Sequence, residues 1–113
     1  MKKYLNIVAL FICLMSGSVN AERAKFYAWD DMSCGAWAAS AEHKNQRLAY
    51  VTWIQGFVSG YNWGTPGRQA EAGDALSYAT IVLYLDKYCR ENPLKDMVGG
   101  TMELVEELVG DKN

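Results

Sequence analysis

Three cysteines, one histidine and a few carboxylates are the residues of this 113-residue chain whose types could do chemistry: Cys13, Cys34, Cys89, His43, the adjacent pair Asp30-Asp31, and the group Glu103, Glu106 and Glu107. A single histidine cannot supply a two-histidine metal site, and no cysteine or histidine spacing matches a zinc motif. Adjacent aspartates usually point different ways, so Asp30-Asp31 reads as a helix-capping run rather than an acid–base pair. The three glutamates read as the solvated side of a helix, with Arg47 and Arg68 as candidate ion-pair partners. Cys89 and His43 would make a nucleophile and base only if the sulfur were free. No glycine-rich phosphate loop and no Gly-x-Ser-x-Gly elbow occurs. The expectation is a protein that is not an enzyme, with no catalytic residue, no metal and no cofactor.

The sulfurs are better explained by export. Met1-Lys2-Lys3 is a short basic head, Tyr4 to Met15 is almost wholly apolar, and Ser16 to Ala21 is small and polar. That is the order of a secretory signal peptide, with cleavage expected after Ala21. The apolar run falls short of the roughly 20 residues of a membrane-spanning helix, so no membrane span is expected. Cys13 leaves with the leader, and Ile12 before it is bulky where a lipid-acceptor motif wants a small residue. Cleavage would leave residues 22–113 as one domain with an even pair, Cys34 and Cys89, which in an exported chain reads as a disulfide. The loop it closes, from 34 to 89, is worth roughly 4 kcal/mol on the chain-entropy model. Nine basic residues then stand against thirteen acidic ones, a net charge of −4. With no basic run, nucleic acid and anionic membrane surfaces are excluded as expected partners.

Four helices would position these residues, on 3.6-residue periodicity and with no competing strand signal, so the fold class is all-α: a small four-helix domain with one disulfide. The first is short, capped by Asp31 or Ser33, with Cys34, Trp37, Ala38 and Ala41 on one stripe. The second runs from about Asn45 to Tyr61. Tyr50, Val51, Ile54, Phe57, Val58 and Tyr61 fill one arc, and Ala49, Gly56 and Gly60 form a second strip beside Trp53. Such a helix is expected to be central and packed on more than one side, with Gly56 and Gly60 admitting a close neighbour or serving partner contact. Asn62 to Gly73 reads as a long, mobile loop exposing Trp63. The third helix, about Asp74 to Arg90, puts Tyr78, Ile81, Val82, Leu85, Tyr88 and Cys89 on its buried face. Asn92 is expected to cap a fourth helix with Pro93 in first position. Its inner face is Leu94, Met97, Val98, Thr101, Met102, Leu104, Val105 and Leu108, with Gly99 and Gly100 toward the polar side as a weak spot, a contact surface or a joint.

A helix-borne cysteine followed within a few residues by "LKDMVGG" (Leu94 to Gly100), an earlier cysteine with a tryptophan upstream (Trp29, Cys34), and Gly56-Phe57 between them resemble the HdeA/HdeB family of periplasmic acid-stress chaperones. That resemblance implies a periplasmic helical protein with Cys34 and Cys89 bridged, acting as a holdase for unfolded clients. As pH falls below about 4 the carboxylates neutralise, and the mature charge would swing from −4 to about +10. Self-repulsion would loosen the bundle, or a homodimer, and free faces such as Val51, Ile54, Phe57, Val98 and Met102. "GFVSGYN" and "YLDKYCRENP" are also similar to Tai-type periplasmic immunity proteins, which block cell-wall amidases delivered by competitors. That likeness implies the alternative, a rigid inhibitor of a single effector enzyme, with Tyr61, Trp63 and an acidic face as anchors. The expected binding residues are thus Phe57, Tyr61, Trp63, Val98 and Met102, and the expected partner is a protein.

Overall fold

A computed structural model of the chain describes residues 25–28 and 30–110, apart from the side chains of residues 74 and 75. The expected signal peptide and Trp29 lie outside the described residues. Within them the protein is all-helical: α1 (Cys34–Ala39), α2 (Lys44–Gly64), α3 (Tyr78–Glu91) and α4 (Met97–Val109), with single 3-10 turns at Ser40–Glu42 and Gly73–Leu76. Cys34 and Cys89 form the disulfide, with their Cα atoms 5.1 Å apart.

Helices α1, α3 and α4 each start where a side-chain oxygen meets a free amide, whereas α2 follows His43 with no side-chain cap. Ser33 Oγ accepts from the Ala36 amide at 3.0 Å and opens α1. Asp31 stands just before it, its carboxylate accepting from the Ser33 amide at 2.8 Å. Ser77 does for α3 what Ser33 does for α1, accepting from the Thr80 amide. Such caps satisfy amides that have no partner inside the helix.

The start of α4 differs from the expectation. Asp96, not Asn92, is its cap, accepting from the Gly99 amide at 2.8 Å. Asn92 instead closes α3, its amide and side chain both donating to the Tyr88 carbonyl. Backbone pairing explains the delay. The Met97 amide donates to the Met32 carbonyl at 2.7 Å and the Cys34 amide to the Lys95 carbonyl at 3.0 Å, an antiparallel bridge that holds the chain extended just before α4. Pro93 and Leu94 therefore sit in a turn, and Leu94 is 99% exposed instead of facing the core. Helix α3 likewise begins after a 3-10 turn, later than expected, which leaves Tyr78 outside.

The main core gathers around the disulfide: Trp37 from α1, Tyr50, Val51 and Ile54 from α2, Ile81 and Leu85 from α3, Met97 and Leu104 from α4. A smaller cluster of Val58, Ala70, Val105 and Val109 closes the other end. Gly100 is part of this packing and not of the polar side. A Cβ there would lie 2.8 Å from the Tyr88 ring and 2.9 Å from a Leu85 methyl, and one at Gly99 would meet the Tyr88 hydroxyl. The glycine pair is the slot into which α3 fits.

One buried charge crosses the core. Arg47 donates from Nε to Ser40 Oγ at 3.0 Å and from Nη2 to the Trp37 carbonyl at 2.6 Å, and its guanidinium lies 4.0 Å from the Trp37 ring centre. Its counter-charge is Asp86, at 3.5 Å, whose carboxylate also accepts from the Trp37 indole at 2.8 Å. Arg47 thus pairs with α3 and not with the glutamates of α4. No buried side-chain nitrogen or oxygen among the described residues lacks a hydrogen-bond partner.

Candidate protein-docking face

Among the described residues, helix α2 is packed on one side only. Arg47, Tyr50, Val51, Ile54 and Val58 are turned inward. The strip of Gly56 and Gly60 faces outward, and a Cβ at either would have no neighbour within 4 Å. The expectation of a central helix with a close neighbour on its glycines is therefore corrected: apolar character on a second side reflects an open surface. No helix among the described residues is long and apolar enough to cross a membrane.

The open side is organised around Trp53. Its indole donates to the Tyr27 carbonyl at 3.0 Å, which fixes the arm of residues 25–28 along one edge of α2. Phe57 stacks on Trp53 with ring centres 5.5 Å apart, and Phe26 adds a third ring 5.8 Å from Phe57. Two shallow depressions flank Trp53, one floored by Ala49 and Thr52, the other by Gly56. Leu48 and Tyr27, 53% and 82% exposed, rise beside them.

Trp63 lies on α2, which runs three residues further than expected, and is 91% exposed. The segment after it is not slack. Asn62 exchanges two hydrogen bonds with the backbone of Ala70, at 3.0 and 2.7 Å. Gln69 donates to the carbonyls of Asn62 and Thr65, and the Glu71 amide reaches Leu108 on α4. Trp63 is thus a large ring held out on a fixed platform.

The five expected binding residues do not form one patch. Trp63 belongs to the open side of α2, and Phe57, stacked on Trp53, is half-buried and also packs against the smaller core cluster. Tyr61 turns toward the smaller core cluster and Val98 toward the main one. Met102, 43% exposed, stands on α4 rather than on an inner face. Leu48, Trp53 and Tyr27 were not expected. For Leu48 and Trp53 the signal was the run from Leu48 to Gly67, which contains no charged residue; Tyr27 lies outside it.

The titratable groups show how the rest of the surface is used. A hydrogen bond from the Ser33 amide, with a further one from its side chain, holds Asp31 below the usual carboxylate value; Asp31 shapes the entry to α1. Burial, then the Glu107 carboxylate that accepts its hydroxyl at 3.1 Å, pushes the Tyr84 phenol well up. Cys89 is bound to Cys34 and so gives His43 no thiol to activate. Among the described residues no three His, Cys, Asp or Glu side chains are placed to hold a metal ion. Compared with protein-family models, with curated proteins and with solved structures, the chain matches none of them.

Proposed function

We propose that the chain is an exported, non-enzymatic protein-binding protein that acts in its folded state, as an inhibitor docking one folded enzyme, the role implied by the likeness to immunity proteins. The single observation that carries this reading is the open side of α2: a face already formed, with no charged side chain from the helix itself and Lys25 of the arm at its edge, ending in a nine-tenths exposed tryptophan on a hydrogen-bonded platform. Aromatic anchors on rigid supports lose little entropy on binding and dominate interface energetics.

The acid-stress holdase is the second reading, and a different observation favours it. Among the described residues Asp86 is the only acidic side chain paired with buried Arg47, at 3.5 Å. Loss of that pair would leave Arg47 without a counter-charge at the junction of α1, α2 and α3, while the disulfide limits how far the chain opens. The apolar residues this mechanism must release, Val51 and Ile54 above all, are fully packed in the folded state. That reading therefore requires opening, whereas docking does not.

Two assays on the processed, oxidised protein separate the readings. Inhibition of cell-wall amidases is measured at neutral pH with the wild type and with Trp63→Ala, and light scattering of an aggregating client is followed at pH about 2 to 3. Docking predicts neutral-pH inhibition that Trp63→Ala weakens at least about tenfold. Protection of the client in acid, with no amidase inhibited at neutral pH, overturns docking in favour of the holdase.

A further inference from the structure

A second concavity lies over the disulfide, and no residue of α2 lines it. Its volume is about 240 Å³, and its lining joins the bridged cysteines to Gly35 and Ala38 of α1, Asp86 and Arg90 of α3, and Pro93. That space equals about eight waters, or one molecule of about nine non-hydrogen atoms.

The two charges on its rim are left for something else. Asp86 and Arg90 stand one turn apart on α3, acid before base, the order in which helical pairs bridge best. One residue further along, Lys87 and Glu91 do meet, at 4.0 Å. Asp86 and Arg90 do not: Asp86 pairs with Arg47, and among the described residues the Arg90 guanidinium has no hydrogen-bond or ion-pair partner. The Asp86 carboxylate is held in place from within. Its Oδ1 accepts from the Trp37 indole at 2.8 Å and from Arg47 at 3.5 Å, while no described donor reaches Oδ2. The cavity thus carries a fixed carboxylate with one oxygen to spare and an unused guanidinium, on Cβ atoms about 5–6 Å apart. Its other walls, Gly35, Ala38 and Pro93, are apolar.

We infer that this cavity binds a free α-amino acid with an apolar side chain. Such a molecule carries its two opposite charges on one carbon, a spacing that suits groups one helical turn apart. Its carboxylate pairs with the planar fork of Arg90, and its ammonium donates to Asp86 Oδ2. Its side chain lies against Gly35, Ala38 and Pro93. A residue inside a peptide lacks both charges and a terminal one lacks one of them, so the ligand is the free amino acid. Leucine, with about nine non-hydrogen atoms, matches the volume. With Arg47 counted, two cations stand around one carboxylate, so the ligand's carboxylate contributes more than its ammonium. Gly35, Ala38, Arg90 and Pro93 are exposed; water screens the charges, and the affinity is modest, with a Kd of order 1 mM. The site does not rest on the docking reading.

Titration of the processed, disulfide-bonded, isotope-labelled chain with each enantiomer of leucine tests it. The reporter is the Trp37 indole N–H, which donates to Asp86. The expected result is a saturable shift of its magnetic resonance signal with a Kd of order 1 mM. 3-Methylbutylamine, which lacks the carboxylate, binds at least about tenfold more weakly than leucine, and 4-methylpentanoate, which lacks the ammonium, at least about threefold. Arg90→Gln weakens leucine at least about tenfold without changing the melting temperature. Arg68→Gln and Trp63→Ala, both outside the cavity, leave it unchanged. No saturable shift by about 50 mM of either enantiomer overturns the site. So does binding indifferent to Arg90→Gln, or an amine or acid that binds as tightly as leucine. Leucine binding that passes these tests in a chain that inhibits no amidase upholds the site and removes only the docking reading. Amidase inhibition without leucine binding does the reverse.

Discussion

Gly56 and Gly100 share a residue type and a helical conformation, yet alanine should act on them in opposite directions. At Gly56 the added methyl meets open space, so Gly56→Ala should stabilise the fold by up to about 1 kcal/mol through helix propensity alone. At Gly100 it must enter the Tyr88 ring and a Leu85 methyl, so Gly100→Ala should cost about 1–3 kcal/mol, the usual range for overpacking. Chemical denaturation of both variants in dilute solution checks the pair. The tyrosines give a pH test. Burial raises the ionisation of Tyr50, Tyr84 and Tyr88 above the usual value, the Glu107 carboxylate adding to the effect at Tyr84. An unfolded tyrosine ionises near pH 10. The stability these groups contribute is thus fully present below about pH 10 and falls as pH rises toward their folded values. Tyrosinate absorbance should lag behind that of free tyrosine, then rise steeply together with loss of helical signal.

At the scale of the element, the caps and the bridge decide where helices begin. Asp96→Ala should destabilise the protein by about 1 kcal/mol, and Asn92→Ala should loosen the end of α3 without changing the start of α4. Amide hydrogen exchange of the first turn of α4 distinguishes them. Much of this was legible in the sequence. The four helices, a cap at Asp31 or Ser33 and the inward stripe of Cys34 and Trp37 follow from local spacing and local chemistry; the structure chooses Ser33. The late start of α4 was not legible, because it depends on pairing between the segments around Met32 and Lys95, across more than sixty residues of chain. Proline in a favourable first position was outweighed by that pairing. The open side of α2 was misread for a related reason: periodicity reports which residues are apolar, and only the tertiary structure shows what lies opposite them. The run without charge was in plain view, but a helix wheel does not distinguish a second core face from an uncovered one.

For the whole molecule, the disulfide and the Arg47–Asp86 crossing both tie distant parts of the chain together. Reduction of a bridge spanning 55 positions should lower stability by roughly 4 kcal/mol, a large share of the total of about 5–10 kcal/mol expected for a domain this small. Arg47→Met keeps much of the packing on Trp37 but leaves Ser40 without its donor and Asp86 with the Trp37 indole alone, and should cost about 2–3 kcal/mol. Thermal melts with and without reductant, in both backgrounds, test whether the two effects add.

The bridge also changes what a broken chain would be. Residues 65–73 join α2 to the second half of the protein, and Cys34 and Cys89 stand on either side of that join. A peptidase that severed the peptide at Arg68 would therefore release nothing. The two fragments would travel as one species through a non-reducing gel and separate only once thiol was added.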